Sequence, residues 1–168
     1  LIVGICAEGQ ADLSRKQIDE LTKWMQRPQI GARGLVYVKY NEDGSFKSSV
    51  DKFFSPEDLK EWADAMGAKP GDMLFILAGE TEKTRKQLNE LRLELGRRMG
   101  LMKEGEFKPL WVVDFPLLEW DEEAERFHAM HHPFTSPKKE DVSRMLNGDH
   151  ETMKSLRADA YDLVINGA

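Results

Sequence analysis

The sequence predicts an α+β fold: a small mixed or antiparallel sheet with helices on one face, followed by a β-hairpin segment. The first observation is an alternation of strand-type and helix-type segments, in the order β-α-β-β-α-β-α, that continues to Met99. The second is the run Met73–Ala78, which is apolar throughout and therefore predicts a strand covered on both faces. The third is a pattern of short strand-type runs after Pro109.

Charge and cysteine content narrow the classes of function. Thirty acidic against 24 basic residues give a net charge of −6, which argues against a generally basic nucleic-acid-binding surface but leaves a local basic patch open. The single cysteine, Cys6, excludes an intrachain disulfide framework and is typical of a reducing compartment. No apolar run approaches the roughly 20 residues of a membrane span, so we expect no membrane partner.

The first helix follows the strand-type run Leu1–Ile5 and is predicted over Ser14–Gln26. Ser14 and Gln17 have the spacing of a capping box, in which each side chain accepts from the other residue's backbone amide. Pro28 then ends the helix. Its basic residues, which suit either a solvated face or contact with RNA phosphate, are Arg15, Lys16, Lys23 and Arg27.

A hairpin and a second helix come next. The turn Asn41–Ser45 separates a β-rich run from a partner strand predicted over Lys47–Phe54. Ser55 caps a helix with Pro56 in its first turn, and Gly67 ends it.

The longest helix is predicted from Thr81 to about Met99, with Gly100 at its carboxyl end. It carries the basic residues that we single out as candidates for contact with RNA phosphate: Arg85, Lys86, Arg92, Arg97 and Arg98. Acidic residues alternate with them, which for each residue alone favours a solvated charged face.

Beyond the polar link Lys103–Lys108, the sequence predicts smaller elements. They are a buried strand at Trp111–Val113, a returning strand at Phe127–Met130, a helix at Lys139–Leu146, a helix from Asp149 to about Ala158, and a closing strand at Tyr161–Ile165.

Three histidines, His128, His131 and His132, follow a cluster of carboxylates. Imidazole and carboxylate are good zinc ligands, but the spacing is no strong signature and no cysteine pair accompanies it, so we assign no metal site. One of these histidines could act as a general acid or base, but no nucleophile motif accompanies it. The alternative is that the histidines are hydrogen-bonded into the packing of the loop and hairpin. Pro133 keeps His132 out of the helical region, and adjacent side chains of an extended segment point to opposite faces, so we expect the pair to have different neighbours.

The same stretch carries a family resemblance. The runs WVVDFPLLEWDEE and FHAMHHPFTSPK resemble bacterial-type aspartate–tRNA ligases, and so do SRKQID, LRLELG and YDLVING elsewhere in the chain. The resemblance implies a GAD-type insertion domain at 1–108 and an incomplete segment of a class II catalytic domain at 109–168. It also implies an internal piece of a larger enzyme, because the Arg-bearing and Gly-rich motifs of that catalytic domain are absent from this sequence.

For function, the resemblance implies a cytoplasmic, homodimeric parent enzyme that activates L-aspartate with ATP and Mg²⁺ and transfers it to tRNA(Asp). It makes His131 the first choice for contact with substrate aspartate and His132 the second, and it assigns no catalytic residue to this chain. We therefore expect no activity from the chain alone. The alternatives are an accessory module that binds the tRNA acceptor arm and a structural spacer.

Overall fold

The computed structural model describes residues 1–103 and 105–167, which form two compact units. Unit 1 is Leu1–Lys103, and unit 2 comprises the described residues 105–167. The predicted polar link Lys103–Lys108 includes residue 104, which lies outside the described residues, as does residue 168. The predicted α+β class is confirmed, since helices and antiparallel sheets are combined along the chain.

Unit 1 has the predicted order of elements. They are β1 (Ile2–Ala7), α1 (Arg15–Met25), β2 (Val36–Tyr40), β3 (Phe46–Ser48), α2 (Pro56–Ala65), β4 (Met73–Ala78) and α3 (Thr81–Arg98). The four strands form one antiparallel sheet in the order β1-β4-β2-β3, so β4 is a central strand and β3 an edge strand.

The helix starts follow the predicted local chemistry. The Ser14 hydroxyl accepts from the Gln17 amide at 3.3 Å, and the Gln17 side chain accepts from the Ser14 amide at 2.9 Å. Ser55 and Asp58 repeat this capping box at α2, where Pro56 takes the first position. None of the helices described has both the length and the apolar character that a membrane span requires.

The core of unit 1 lies on both faces of the sheet. Met73, Phe75 and Leu77 of β4 pack with α1 and α3, whereas Leu74 and Ile76 pack with α2. The prediction of helices on one face is therefore wrong for α2. The reason is the strand itself: successive side chains of β4 point to opposite faces and all are apolar, so each face requires a covering layer.

The edge strand β3 is shorter than predicted. The Asp51 carboxylate accepts the Ser48 amide at 2.6 Å, and the Ser48 hydroxyl donates to the Tyr37 carbonyl at 2.9 Å. These bonds turn the chain after Ser48, so the strand predicted over Lys47–Phe54 ends there.

Unit 2 is built from two separate two-stranded antiparallel sheets. Its elements are β5 (Pro109–Val113), β6 (Leu118–Asp121), β7 (Arg126–Ala129), a 3₁₀ turn (Lys139–Asp141), α4 (Val142–Asn147), α5 (His150–Lys154) and β8 (Tyr161–Ile165). Strands β5 and β8 pair with each other, as do β6 and β7. A small buried cluster of Leu117, Leu156 and Ala158 lies beside them.

The strand predicted at Trp111–Val113 is present in β5, but its predicted burial is wrong. Trp111 is 61% exposed, and its ring contacts Tyr161 of β8 edge to face at 5.5 Å between centroids. Burial of a strand requires a layer on each face, and among the described elements of unit 2 only β8 has substantial contact with β5.

Candidate functional site

The histidine segment of unit 2 is a loop held at both ends by backbone hydrogen bonds. On one side, the Met130 amide donates to the Leu117 carbonyl at 3.2 Å. On the other, the Lys138 amide donates to the Arg157 carbonyl at 2.9 Å. Leu117 belongs to the small core, and the Ala158 amide next to Arg157 donates to the Phe115 carbonyl at 2.7 Å. The loop therefore starts and ends at fixed points of the unit 2 framework.

Within this loop, the two histidines have different surroundings, as expected. The His132 Nδ1 accepts the Phe134 amide at 3.1 Å, and its carbonyl accepts the Thr135 amide at 2.9 Å. His131 instead packs edge to face on Phe115 at 5.0 Å. Both residues are exposed. Because Nδ1 of His132 is already an acceptor, its free nitrogen is Nε2, whereas both nitrogens of His131 remain open within residues 1–103 and 105–167.

Beside the loop lies an ion-pair network centred on Asp141, which is 1% exposed. The Arg157 guanidinium donates to its carboxylate from Nε at 2.9 Å, and Arg144 donates from Nη1 at 2.9 Å. These bonds, with Arg157 the largest influence, hold the pKa of Asp141 well below its usual range. The Asp114 carboxylate pairs with Lys138 and, at 3.5 Å, with Arg157; its pKa is lowered too, chiefly by Lys138.

Little in the sequence indicates this network. The spacing of Asp141 and Arg144, three residues apart on a short helical segment, is a signal that suggests one of its pairs. Arg157 lies on the strand-like segment after α5 and offers no local signal, since only the tertiary fold brings it to Asp141. The network fixes the segments on either side of the histidine loop and thereby its position.

The carboxylates and imidazoles of unit 2 do not converge on one point. His128 lies beside Glu119 across the β6–β7 hairpin, with Nε2 and Oε2 3.6 Å apart, and His131 faces Phe115 instead. In the described parts of the chain, no three His, Cys, Asp or Glu side chains are grouped as a metal site requires. Asp114 and Asp141 already pair with lysine or arginine side chains, so neither carboxylate is available as a Mg²⁺ ligand.

The basic candidates on α3 separate into two kinds. Glu94 is 6% exposed, and its carboxylate accepts from Arg97 at 2.7 Å and from Arg98 at 2.7 Å. These hydrogen bonds lower the pKa of Glu94, and the one with Arg97 contributes most. Arg98 is therefore committed to a nearly buried carboxylate, whereas Arg97 remains largely exposed. Glu94 is one of the acidic residues for which the sequence favours a solvated face, and its burial differs from that expectation.

The other candidates, Arg85, Lys86 and Arg92, are exposed and form weaker interactions or none within the described residues. Arg85 pairs with Glu82 at 3.3 Å, and Arg92 donates to the Asn89 side chain at 3.0 Å. Among the described residues, Lys86 forms neither an ion pair nor a hydrogen bond. Arg85 and Lys86 border a surface cavity of ≈ 640 Å³ between α3 and the loop after α1. Its other lining residues are Gln29, Ile30, Gln87, Asn89 and Glu90.

Comparison with known proteins identifies the relatives of the chain. Residues 1–100 match the family model described as the GAD domain. The chain is 59% identical over 99% of its length to the aspartate–tRNA ligase of Flavobacterium psychrophilum. It is 56% identical, again over 99% of its length, to those of Parabacteroides distasonis and Porphyromonas gingivalis. It spans 28% of the length of each relative. The chain belongs to the GAD domain family, and 99% of its length is similar to one part of the bacterial aspartate–tRNA ligases.

Proposed function

We propose that the chain is part of an aspartate–tRNA ligase, which activates L-aspartate with ATP and transfers the aspartyl group to tRNA(Asp). The observation that carries the proposal is the imidazole of His131, which packs on Phe115 and keeps both ring nitrogens available within residues 1–103 and 105–167. It lies on an anchored loop of a chain that is 59% identical to such an enzyme. In this proposal, residues 1–108 are the GAD-type insertion and 109–168 are a segment of the class II catalytic domain. The exposed β5–β8 ribbon is then part of a larger sheet that further chain completes.

His131 is proposed to bind the side-chain carboxylate of aspartate. A protonated imidazole donates a charge-assisted hydrogen bond to a carboxylate, which is about twice as strong as a neutral one. The neutral amide of asparagine gains less from this donor, so the contact contributes to rejecting asparagine. His132 is the second choice, because its Nδ1 is already used by the Phe134 amide. The residues that form aspartyl-adenylate with ATP and Mg²⁺ are proposed to lie outside this chain.

The test of this role is His131→Ala in the full-length enzyme, with His128→Ala as the matched control on the neighbouring hairpin. Loss of a hydrogen bond to a charged group costs about 1.5–3 kcal/mol, so we expect aspartate affinity to fall roughly 10- to 100-fold. Discrimination against asparagine should fall as well. Pyrophosphate exchange with each amino acid measures both quantities. Unchanged aspartate affinity and unchanged asparagine rejection in His131→Ala would refute the assignment.

The proposal has consequences for the chain and for its parent. The chain alone should show no aspartate-dependent pyrophosphate exchange, whereas the full-length enzyme should. The parent is proposed to be a cytoplasmic homodimer, which cell fractionation and light scattering would check.

A second proposed function, tRNA binding by unit 1, is supported by the cavity that Arg85 and Lys86 border. Phosphate contacts position a nucleic acid and make binding depend on salt. We expect Lys86→Glu to weaken tRNA binding and to reduce its salt dependence, measured by anisotropy at two salt concentrations. Lys52→Glu is the control, since Lys52 is an exposed lysine of the same unit. No binding at low salt would instead favour a structural spacer.

A further inference from the structure

A second cavity of unit 1, of ≈ 340 Å³, collects basic side chains from three elements. Arg15 comes from the first turn of α1, Lys39 from β2 and Lys47 from β3. The remaining lining residues are Asp12, Leu13, Ser14, Ile18 and Tyr37. Since one water takes about 30 Å³ of liquid volume, the cavity has room for a small hydrated anion.

Lys39 and Lys47 are directly opposite each other in the antiparallel β2–β3 pair. Their side chains therefore share one face of the sheet, and like charges in this position are destabilising. Lys39 donates to the Leu13 carbonyl at 2.6 Å, which orients its ammonium but does not neutralise it. In the described part of the chain, neither lysine forms an ion pair, and Lys47 forms no hydrogen bond.

Arg15, the third basic residue, lines the same cavity. The Arg15 guanidinium donates to the Tyr37 hydroxyl at 3.4 Å from Nη1 and to Asp19 at 2.9 Å from Nε. Tyr37 is buried, so its hydroxyl gives Arg15 a fixed partner at the cavity wall. Asp19 offsets the charge of Arg15, and Asp12 is the one carboxylate among the lining residues. Two lysines against one lining carboxylate leave the cavity with a positive charge.

We propose that this cavity binds a phosphate group, with Lys47 and Lys39 as its charged donors and the Tyr37 hydroxyl as a neutral one. A bound phosphate would relieve the repulsion between the opposed lysines and accept charge-assisted hydrogen bonds. The phosphate belongs either to the backbone of an RNA or to a small phosphate-bearing molecule. The inference does not depend on aspartate activation, because every residue in it lies in unit 1.

The experiment is an NMR titration of the 168-residue chain, at constant ionic strength, with inorganic phosphate in one arm and a short RNA duplex in the other. We expect phosphate to shift the amides of Ser14, Arg15, Lys39 and Lys47 together. Lys47→Gln should weaken phosphate binding about fivefold, the equivalent of roughly 1 kcal/mol. Asp12→Asn should strengthen it, and Lys52→Gln, which removes an exposed charge elsewhere in unit 1, should leave it unchanged.

The two arms identify the source of the phosphate. If the RNA shifts the same amides, and Lys47→Gln lowers the salt slope by about one when the RNA titration is repeated at a second ionic strength, the ligand is an RNA backbone phosphate. If only inorganic phosphate shifts them, the ligand is a small molecule. The proposal is overturned if neither probe shifts these amides, or if Lys52→Gln weakens binding as much as Lys47→Gln. Lys47 would then serve only to protect the edge strand β3 from pairing with other chains.

Discussion

The central strand of unit 1 and the paired strands of unit 2 consist of similar apolar residues but differ in burial. In β4, Leu74 is 0% exposed, with α2 on its side of the sheet and α1 and α3 on the other. In β5, Leu110 is 53% exposed, although β5 is fully paired with β8. Strand pairing satisfies the backbone, but only a second layer removes apolar side chains from water. Unit 1 contains its covering layers, and the described part of unit 2 does not.

The units also differ in what holds them together. Unit 1 has two clusters of buried apolar residues, one on each face of the sheet. Unit 2 has one small cluster, supplemented by the Asp141–Arg157 network. Apolar burial is the dominant favourable contribution to folding, whereas the attraction within an ion pair is largely offset by the cost of removing its charges from water. We therefore expect unit 2 to be the less stable of the two when the chain is studied alone.

The largest expected effect comes from the same substitution at two strand positions. Leu74→Ala should destabilise unit 1 by about 2–5 kcal/mol, because it opens a cavity in a filled core. Leu110→Ala should change the stability of unit 2 by less than about 0.5 kcal/mol, since the side chain is largely in water. Hydrogen exchange of the β4 and β8 amides measures the two effects separately. Equal losses at both sites would contradict the comparison.

The effect of Leu110→Ala should differ between the full-length parent and the chain alone. If further chain covers the β5–β8 ribbon there, as the proposed function requires, Leu110→Ala should destabilise that enzyme clearly more than it destabilises the chain alone. Equal effects in the two proteins would show that the ribbon stays exposed.

A smaller effect is expected from Asp141→Asn, which keeps the shape of the side chain and removes its charge. The amide has one acceptor oxygen, so it cannot accept Arg157 Nε and Arg144 Nη1 at two separate oxygens as the carboxylate does. Hydrogen exchange should therefore accelerate in unit 2, for example at the Ala158 amide, while β4 is unaffected. Accelerated exchange in β4 would mean that the two units do not unfold separately.

The same variant tests a pH dependence. The pKa of Asp141 is lowered in the folded chain by Arg157 and Arg144. The carboxylate therefore stabilises unit 2 fully above the ordinary aspartate pKa of about 3.9, and this stabilisation is lost as the pH falls below it. Asp141→Asn should weaken the acid sensitivity of unit 2 without abolishing it, because the pKa of Asp114 is lowered as well. A variant with unchanged acid sensitivity would show that Asp141 contributes little.

Local elements were predictable from the sequence, since their signals act within a few residues. The capping boxes at Ser14 and Ser55 mark the starts of α1 and α2, and Tyr161–Ile165 is a strand with the predicted bounds. The expectation from Pro133 that His131 and His132 have different neighbours is confirmed by their contacts. Substrate binding by these histidines stays a prediction, because no ligand contact tests it.

Long-range features were not predictable in the same way. The burial of Glu94 depends on how α3 packs, and the exposure of Trp111 depends on which layers surround β5. Arg157 lies 16 positions from Asp141, and nothing in that spacing indicates a bond. Such contacts join separate segments, so local propensity and periodicity contain no information about them.

Capping, turn chemistry and apolar periodicity are properties of neighbouring residues, so the order of elements, most helix starts and the histidine segment are predictable before the fold is known. Tertiary packing covers the second face of the sheet with α2 and leaves β5 exposed. It alone brought Lys39 and Lys47 together beside Arg15. The physical reason is that burial and electrostatic surroundings are set by side chains distant in sequence, whose positions are fixed only when the chain has packed.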